Sequence, residues 1–207
     1  MANLIDYRQE IMDGNPYQQV IRLSLHSAKW EKINDDTVKD VLDKLDIQQN
    51  KRVITRNDVR NTHGRHHVIK ALMWTFADNP DLRIVRSAIS HIDEIVEVLD
   101  IKGNKDLQES EYKFLYNTLD AIEYIGMTTA SVLLFFAQLR CVGNHSIAVT
   151  GQIKPHFSDF EELACLVEEI DYVKIIDKIN EVARKIDVSA EQLEYFLYRV
   201  NKGEIQI

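Results

Sequence analysis

Proline and glycine are scarce, at 3 and 7 residues in 207. Tight turns between strands draw on both, so an all-β architecture is disfavoured and helices are expected. Cysteine is nearly absent as well. Cys141 and Cys165 alone cannot make a disulfide framework, a four-ligand zinc site or an iron–sulfur set. Both sit among apolar neighbours and are expected as buried free thiols. The longest apolar stretch, residues 130–137, is far short of the roughly 20 residues of a membrane span. The first residues lack a basic region followed by an apolar core, so no signal peptide is expected and the anticipated location is cytoplasmic. Neither a phosphate loop nor a dinucleotide glycine fingerprint occurs. No cofactor, metal or membrane partner is therefore expected.

What is present reads as a folded protein: 45% hydrophobic, 28% charged and 8% aromatic residues. The length suits one domain spanning 1–207. Net charge is −8, which repels nucleic acid on average. The charge is uneven, however. Residues 51–70 carry six cations, Lys51, Arg52, Arg56, Arg60, Arg65 and Lys70, against Asp58, a net +5 that leaves −13 for the remainder. Arg52, Arg56 and Arg60 recur every four residues and would share one face of a helix. Guanidiniums so placed suit phosphate recognition, although a solvated helix face has the same signature. His63, His66 and His67 lie in the same island, but with no cysteine or carboxylate beside them a metal site is not expected.

The apolar pattern predicts eight to ten helices and an all-α fold. Residues 1–16 are polar, end in Gly14-Asn15-Pro16 and are expected to be loosely ordered. A helix is compatible with Val20, Leu23, Leu25 and Trp30. Asp35-Asp36 offers N-cap chemistry to a helix over 37–45, and Thr55 to one from 55. Residues 68–76 read as a buried helix and 82–99 as one long amphipathic helix ending at a Gly103-Asn104 break. A helix over 107–122 follows, then one over 128–139 that is apolar all round and so central to the core. Residues 140–156 look irregular, with a β-leaning run at 147–150. Capping boxes at Ser158 and Ser189 open a short helix and the last helix, and 173–186 is amphipathic.

The most informative segment is Ile122-Glu-Tyr-Ile-Gly-Met-Thr-Thr-Ala130. It resembles a helix-hairpin-helix, in which apolar, Pro, Gly, apolar, Gly, two residues, Thr and Ala precede an apolar helix. Ile122, Ile125, Gly126, Thr129 and Ala130 match, while Glu123 stands for the Pro and Tyr124 for the first Gly. The alternative is an ordinary helical corner with Gly126 as its cap. Such a hairpin turns the N–H groups of its second helix toward a phosphate. Gly126 is the residue expected to supply a left-handed turn, linking its helices in three to five residues. Thr129 would cap the turn and Ala130 would let the helices approach.

The layout of 55–200 is similar to the helix-hairpin-helix DNA glycosylase superfamily. That resemblance implies an all-α fold and DNA contact through Gly126, Thr128, Thr129 and Ala130, with Arg52, Arg56, Arg60, Arg65 and Lys70 on the same side. Its catalytic elements are not matched. Thr128 stands where lyase members carry lysine, and 142–149, where the aspartate would fall, holds no carboxylate. Asn144 is an amide and cannot stabilise positive charge as a carboxylate does. The expectation is DNA binding without standard excision, or an inactive helical module with a protein partner.

Overall fold

The computed structural model describes residues 1–100 and 105–207. The expected Gly103-Asn104 break lies outside the described residues. The fold is 56% helix and 10% strand with two small three-stranded sheets. The all-α expectation is therefore corrected to mixed α/β.

The first sheet accounts for most of the difference. The segment read as compatible with a helix forms β1 (Val20–Ser24), which pairs antiparallel with β3 (Lys51–Thr55); β2 (Asp46–Gln48) pairs with the other edge of β3. Val20, Ile21, Val53 and Ile54 are β-branched and suit a pleated, half-buried surface. Thr55 ends β3 and caps α3 (Arg56–Arg60) in one step. Its hydroxyl accepts from the Asp58 amide at 3.1 Å, and the Asp58 carboxylate accepts from the Thr55 amide at 2.7 Å.

Residues 1–16 are well packed, against expectation. Leu4 and Ile11 are fully buried, Ala2 bridges to Phe160, and α1 (Arg8–Met12) is tied down where Arg8 Nε donates to the Ile186 carbonyl at 2.8 Å. The remaining helices are α2 (Asp36–Lys44), α4 (Gly64–Phe76), α5 (Leu82–Ser90), α6 (Ile92–Leu99), α7 (Glu109–Asp120), α8 (Met127–Phe136), α9 (Tyr172–Lys185) and α10 (Ala190–Asn201). The single helix expected over 82–99 is thus two, broken at His91 (φ −110°, ψ 19°). The helix expected after Ser158 is replaced by 3-10 turns at Lys154–Asp159 and Ala164–Leu166.

The apolar helix lies where its composition puts it. Every residue of α8 from Thr129 to Phe136 is buried, and α8 packs against α4 and α7. A helix with no polar face can only sit inside a core. Trp74 and Phe136 meet edge to face at 5.4 Å between centroids. The second sheet stands at the C-terminal end of α8. There β5 (Arg140–Cys141) pairs parallel with β4 (Asp106–Leu107) and antiparallel with β6 (Asn144–His145). Residues 147–150 form no strand. Cys141 is buried, but Cys165 is exposed, correcting the expectation for that thiol. No helix among the described residues is long and apolar enough to cross a membrane.

Candidate functional site

Two places on the molecule hold the chemistry, one at each end of α8. Ten residues at about 1.5 Å each separate them by roughly 15 Å.

At the N-terminal end is the turn read as a hairpin. Helices α7 and α8 are packed neighbours joined by residues 121–126, one residue more than the longest link expected. The left-handed residue is not Gly126, which is extended (φ −101°, ψ −172°), but Tyr124 at φ +65°. Tyr124 stands where the motif has its first glycine, so the backbone keeps a glycine-like conformation without the glycine. That conformation is uncommon for a bulky residue. Arg83 of α5 lies over the Tyr124 ring at 5.7 Å and pairs with Asp81 at 2.8 Å. These bonds hold the Asp81 carboxyl down at about 2. Ser87 of α5 donates to the Glu123 carbonyl, which fixes the turn against the helix.

The start of α8 is open. Gly126 caps it without a side-chain bond, Gly126 and Thr128 are exposed, and a Cβ built on Gly126 meets nothing within 4 Å. The first amides of a helix have no intrahelical acceptor and carry the positive end of its dipole. Thr129 and Ala130 are buried and support the turn from within. Arg86, three residues after Arg83 on α5, is exposed and has no ion-pair partner among the described residues. The segment that passes the first turns of α8 offers no carboxylate. The chain passing the first turns of α8 is the segment around Val149, whose amide donates to Ser131 Oγ at 3.0 Å, and residues 146–152 contain no carboxylate. Asn144 is turned elsewhere, donating to Asp177 at 2.8 Å and accepting from Arg184 at 2.7 Å.

The basic island is not gathered at this turn. Arg52 is on strand β3, facing Glu31 at 3.5 Å, so the three arginines do not share a helix face. Arg56 is fully buried. Its Nη2 donates to Glu194 of α10 at 2.7 Å and to Gln19, while Nε and Nη1 have no partner. Burial raises the Glu194 carboxyl while the Arg56 charge lowers it, with a net upward shift. Arg60 pairs with Glu191 of α10 at 2.6 Å, and Arg65 with Asp93 of α6 through a 2.8 Å bond from Nε. Lys70 donates to Thr62 Oγ1 at 3.0 Å. The periodicity that suggested a phosphate face thus reflects two buried or half-buried pairs that pin α3 to α10. A buried, paired guanidinium cannot reach a phosphate without leaving a carboxylate unpaired. The histidines diverge too: His66 bonds Asp40 at 2.6 Å, while His67 is buried with Nδ1 on the Val59 and Thr62 carbonyls. No cluster of His, Cys, Asp or Glu able to hold a metal ion occurs among the described residues.

At the C-terminal end of α8 is a cleft made of two adjoining hollows that share Arg60, Lys105 and Gln138. The inner one, about 100 Å³, is lined by His63, Gly64, His67 and Phe136; the outer, about 360 Å³, by Tyr17, Phe135, Arg140, His145 and Glu191. The Arg60 guanidinium lies over the Phe135 and Tyr17 rings at 5.1 and 5.4 Å. Burial, and then the Arg140 charge, lower the pKa of His145. Arg60, His63 and His67 stand out in the sequence, but for other roles. Lys105, Gln138, Arg140 and the Arg83–Arg86 pair carry no local motif; packing sets Lys105 against residues 137–140 at one end of α8 and α5 against the turn at the other. Comparison with known proteins returns no match: no family model, curated protein or solved structure is similar to the chain.

Proposed function

We propose that the protein binds DNA through its phosphate backbone at the α7–α8 turn, without excising bases. One observation carries this reading: the open, uncapped start of α8 at Gly126–Thr129, held by a left-handed Tyr124 in the register of the hairpin motif. Phosphate oxygens fit such a terminus irrespective of sequence. Arg83 and Arg86 on the neighbouring helix replace Arg56, Arg60 and Arg65 as the supporting cations. The lack of a carboxylate in residues 142–152, and of a lysine at position 128, favours binding over excision.

The test is fluorescence anisotropy with a labelled duplex at several salt concentrations, on wild type, Gly126→Val and Arg83→Ala/Arg86→Ala. Gly126 is extended and faces open space, so valine leaves the turn intact and fills only the approach to the amides. It should weaken binding while leaving the thermal midpoint nearly unchanged. The double arginine variant should reduce the salt slope by about 0.9 for each phosphate it no longer neutralises. Wild-type affinity in Gly126→Val would refute the hairpin as the DNA-binding element.

A module with a protein partner is the second reading. It draws support from the basic island, where Arg56 and Arg60 are engaged within the fold and Arg65 is paired at the surface.

A further inference from the structure

The first sheet ends in an unpaired edge. Its strand order, β1-β3-β2, places β1 outermost. In an antiparallel pair, residues that bond across the ladder alternate with residues whose amide and carbonyl point away from it. The Arg56 amide donates to the Gln19 carbonyl at 3.3 Å, and this bond fixes the phase. Gln19, Ile21 and Leu23 bond toward β3, while Val20, Arg22 and Ser24 turn their backbone groups outward. Ser24 bears this out: its amide donates to Asp78 Oδ1 at 2.7 Å and its hydroxyl to Oδ2 at 2.9 Å. Val20 and Arg22 have no such answer. Their amides and carbonyls meet no hydrogen-bond partner among the described residues.

A groove of about 500 Å³ opens beside this edge, lined by Val20, Ile21 and Arg22, by Phe76 at the end of α4 and by Tyr198 and Lys202 at the end of α10. Its lining holds two cations, Arg22 and Lys202, against one carboxylate, Glu204, which pairs with Arg199 at 3.3 Å. Neither Arg22 nor Lys202 has a carboxylate within ion-pair distance among the described residues; Lys202 lies over the Tyr198 ring at 5.3 Å. Asp78 stands at the Ser24 end, where it holds that residue. The chain as a whole carries −8, but at physiological salt charges more than about 8 Å away are largely screened, so the nearby cations decide what the edge attracts.

We propose that the β1 edge takes up an extended acidic peptide of a partner protein as a fourth strand of the first sheet. Its backbone bonds Val20 and Arg22, whose outward donors and acceptors recur every second residue, the repeat that another strand matches. Phosphate oxygens of a nucleic acid accept from the amides but leave the carbonyls without a donor. A second copy of β1, paired antiparallel over its whole length, sets Arg22 against Arg22, a repulsive opposition. Acidic side chains of the peptide meet Arg22 and Lys202, and an apolar one meets Phe76 and Tyr198. The site shares no residue with the hairpin.

The probe is a fluorescein-labelled peptide, Thr-Val-Glu-Val-Glu-Val-Thr. Its comparators are the same peptide with lysine for glutamate, the same peptide N-methylated at every backbone amide, and a short oligothymidylate. Anisotropy reads affinity, and hydrogen exchange at single amides reads the place of binding. The expected result is saturable binding of the glutamate peptide, at least about tenfold tighter than the lysine peptide, and none of the N-methylated one. The amides of Val20 and Arg22 gain protection, while those of Ile21 and Leu23, already bonded to β3, change little. Arg22→Glu, at an exposed position, should reverse the preference between the two charged peptides. Val20→Pro removes one outward donor and no bond to β3, and Gln19 at φ −62°, ψ 128° suits a following proline; it should weaken the glutamate peptide. No saturable binding of that peptide would overturn the proposal, as would equal binding of its N-methylated form or protection that misses Val20 and Arg22. Protection of those amides by oligothymidylate alone, or by self-association, would overturn it in favour of a nucleic acid or a second copy.

Discussion

Replacing Thr128 with Asp should move stability and DNA affinity in opposite directions. Thr128 is exposed in the first turn of α8, two residues after Gly126, and makes no side-chain capping bond. A carboxylate there meets the unsatisfied amides and the positive helix end, which is worth about 0.3–1 kcal/mol of stability. For a chain of this length that raises the melting temperature by roughly 1–4 °C. The same carboxylate stands where the proposed phosphate sits. At roughly 6 Å two like charges repel by about 0.7 kcal/mol in bulk water and about 3 kcal/mol at an effective dielectric constant of 20. Affinity should therefore fall between about threefold and a hundredfold at low salt. Thr128→Asn, nearly isosteric with Asp and uncharged, should bind close to wild type. The assays are calorimetric melting and anisotropy titration of a 20-base-pair duplex from low to physiological salt, where screening shrinks the difference. A Thr128→Asp protein that melts higher and binds DNA as well as wild type would show that the α8 terminus is open but unused.

Three further outcomes are expected. Arg56→Met strands the buried Glu194 and should cost about 3–5 kcal/mol, while Arg56→Met/Glu194→Leu, which removes both charges, should recover most of that in urea denaturation; equal loss in single and double variants would refute the pairing argument. Burial lowers the pKa of His67, so the folded state binds fewer protons than the unfolded one; this stabilisation is present above the ordinary histidine value and lost as pH falls through about 6.5 toward the lowered value. Urea midpoints at pH 7.5 and 5.5 should drop less in His67→Asn, whose amide can keep the bonds to Val59 and Thr62; an identical drop would show that His67 is not the cause. Purified protein incubated with duplexes carrying damaged bases should release none and leave strands intact after alkali, and robust release would show a carboxylate reaching the site from elsewhere in the fold.

The local readings that held are those whose physics is local. Thr55 and Ser189 cap helices as expected, because a hydroxyl meeting the amide three residues on needs only a turn of chain. Residues 129–136, apolar on every side, had nowhere to go but the core. A turn between two neighbouring helices around Ile122–Ala130 was legible too, although the residue bearing the left-handed backbone was misplaced. Gly126 is the conformationally permissive residue, yet Tyr124, which follows the α5-bonded Glu123 and lies under Arg83, carries φ +65° instead.

Tertiary structure decided the rest. Val20–Ser24 is a strand because Lys51–Thr55 lies beside it, a pairing across some thirty residues that no helical or alternating pattern announces. The spacing of Arg52, Arg56 and Arg60 is visible in the chain, but their role depends on Glu31, Glu191 and Glu194, up to 138 positions away. The cleft is the extreme case. Its cations come from Arg60, Lys105 and Arg140, one of its histidines from β6 and its acids from Asp100, Asp106 and Glu191. A composition or a spacing records which charges a chain carries; only the fold decides which of them meet a partner and which are left facing a cavity.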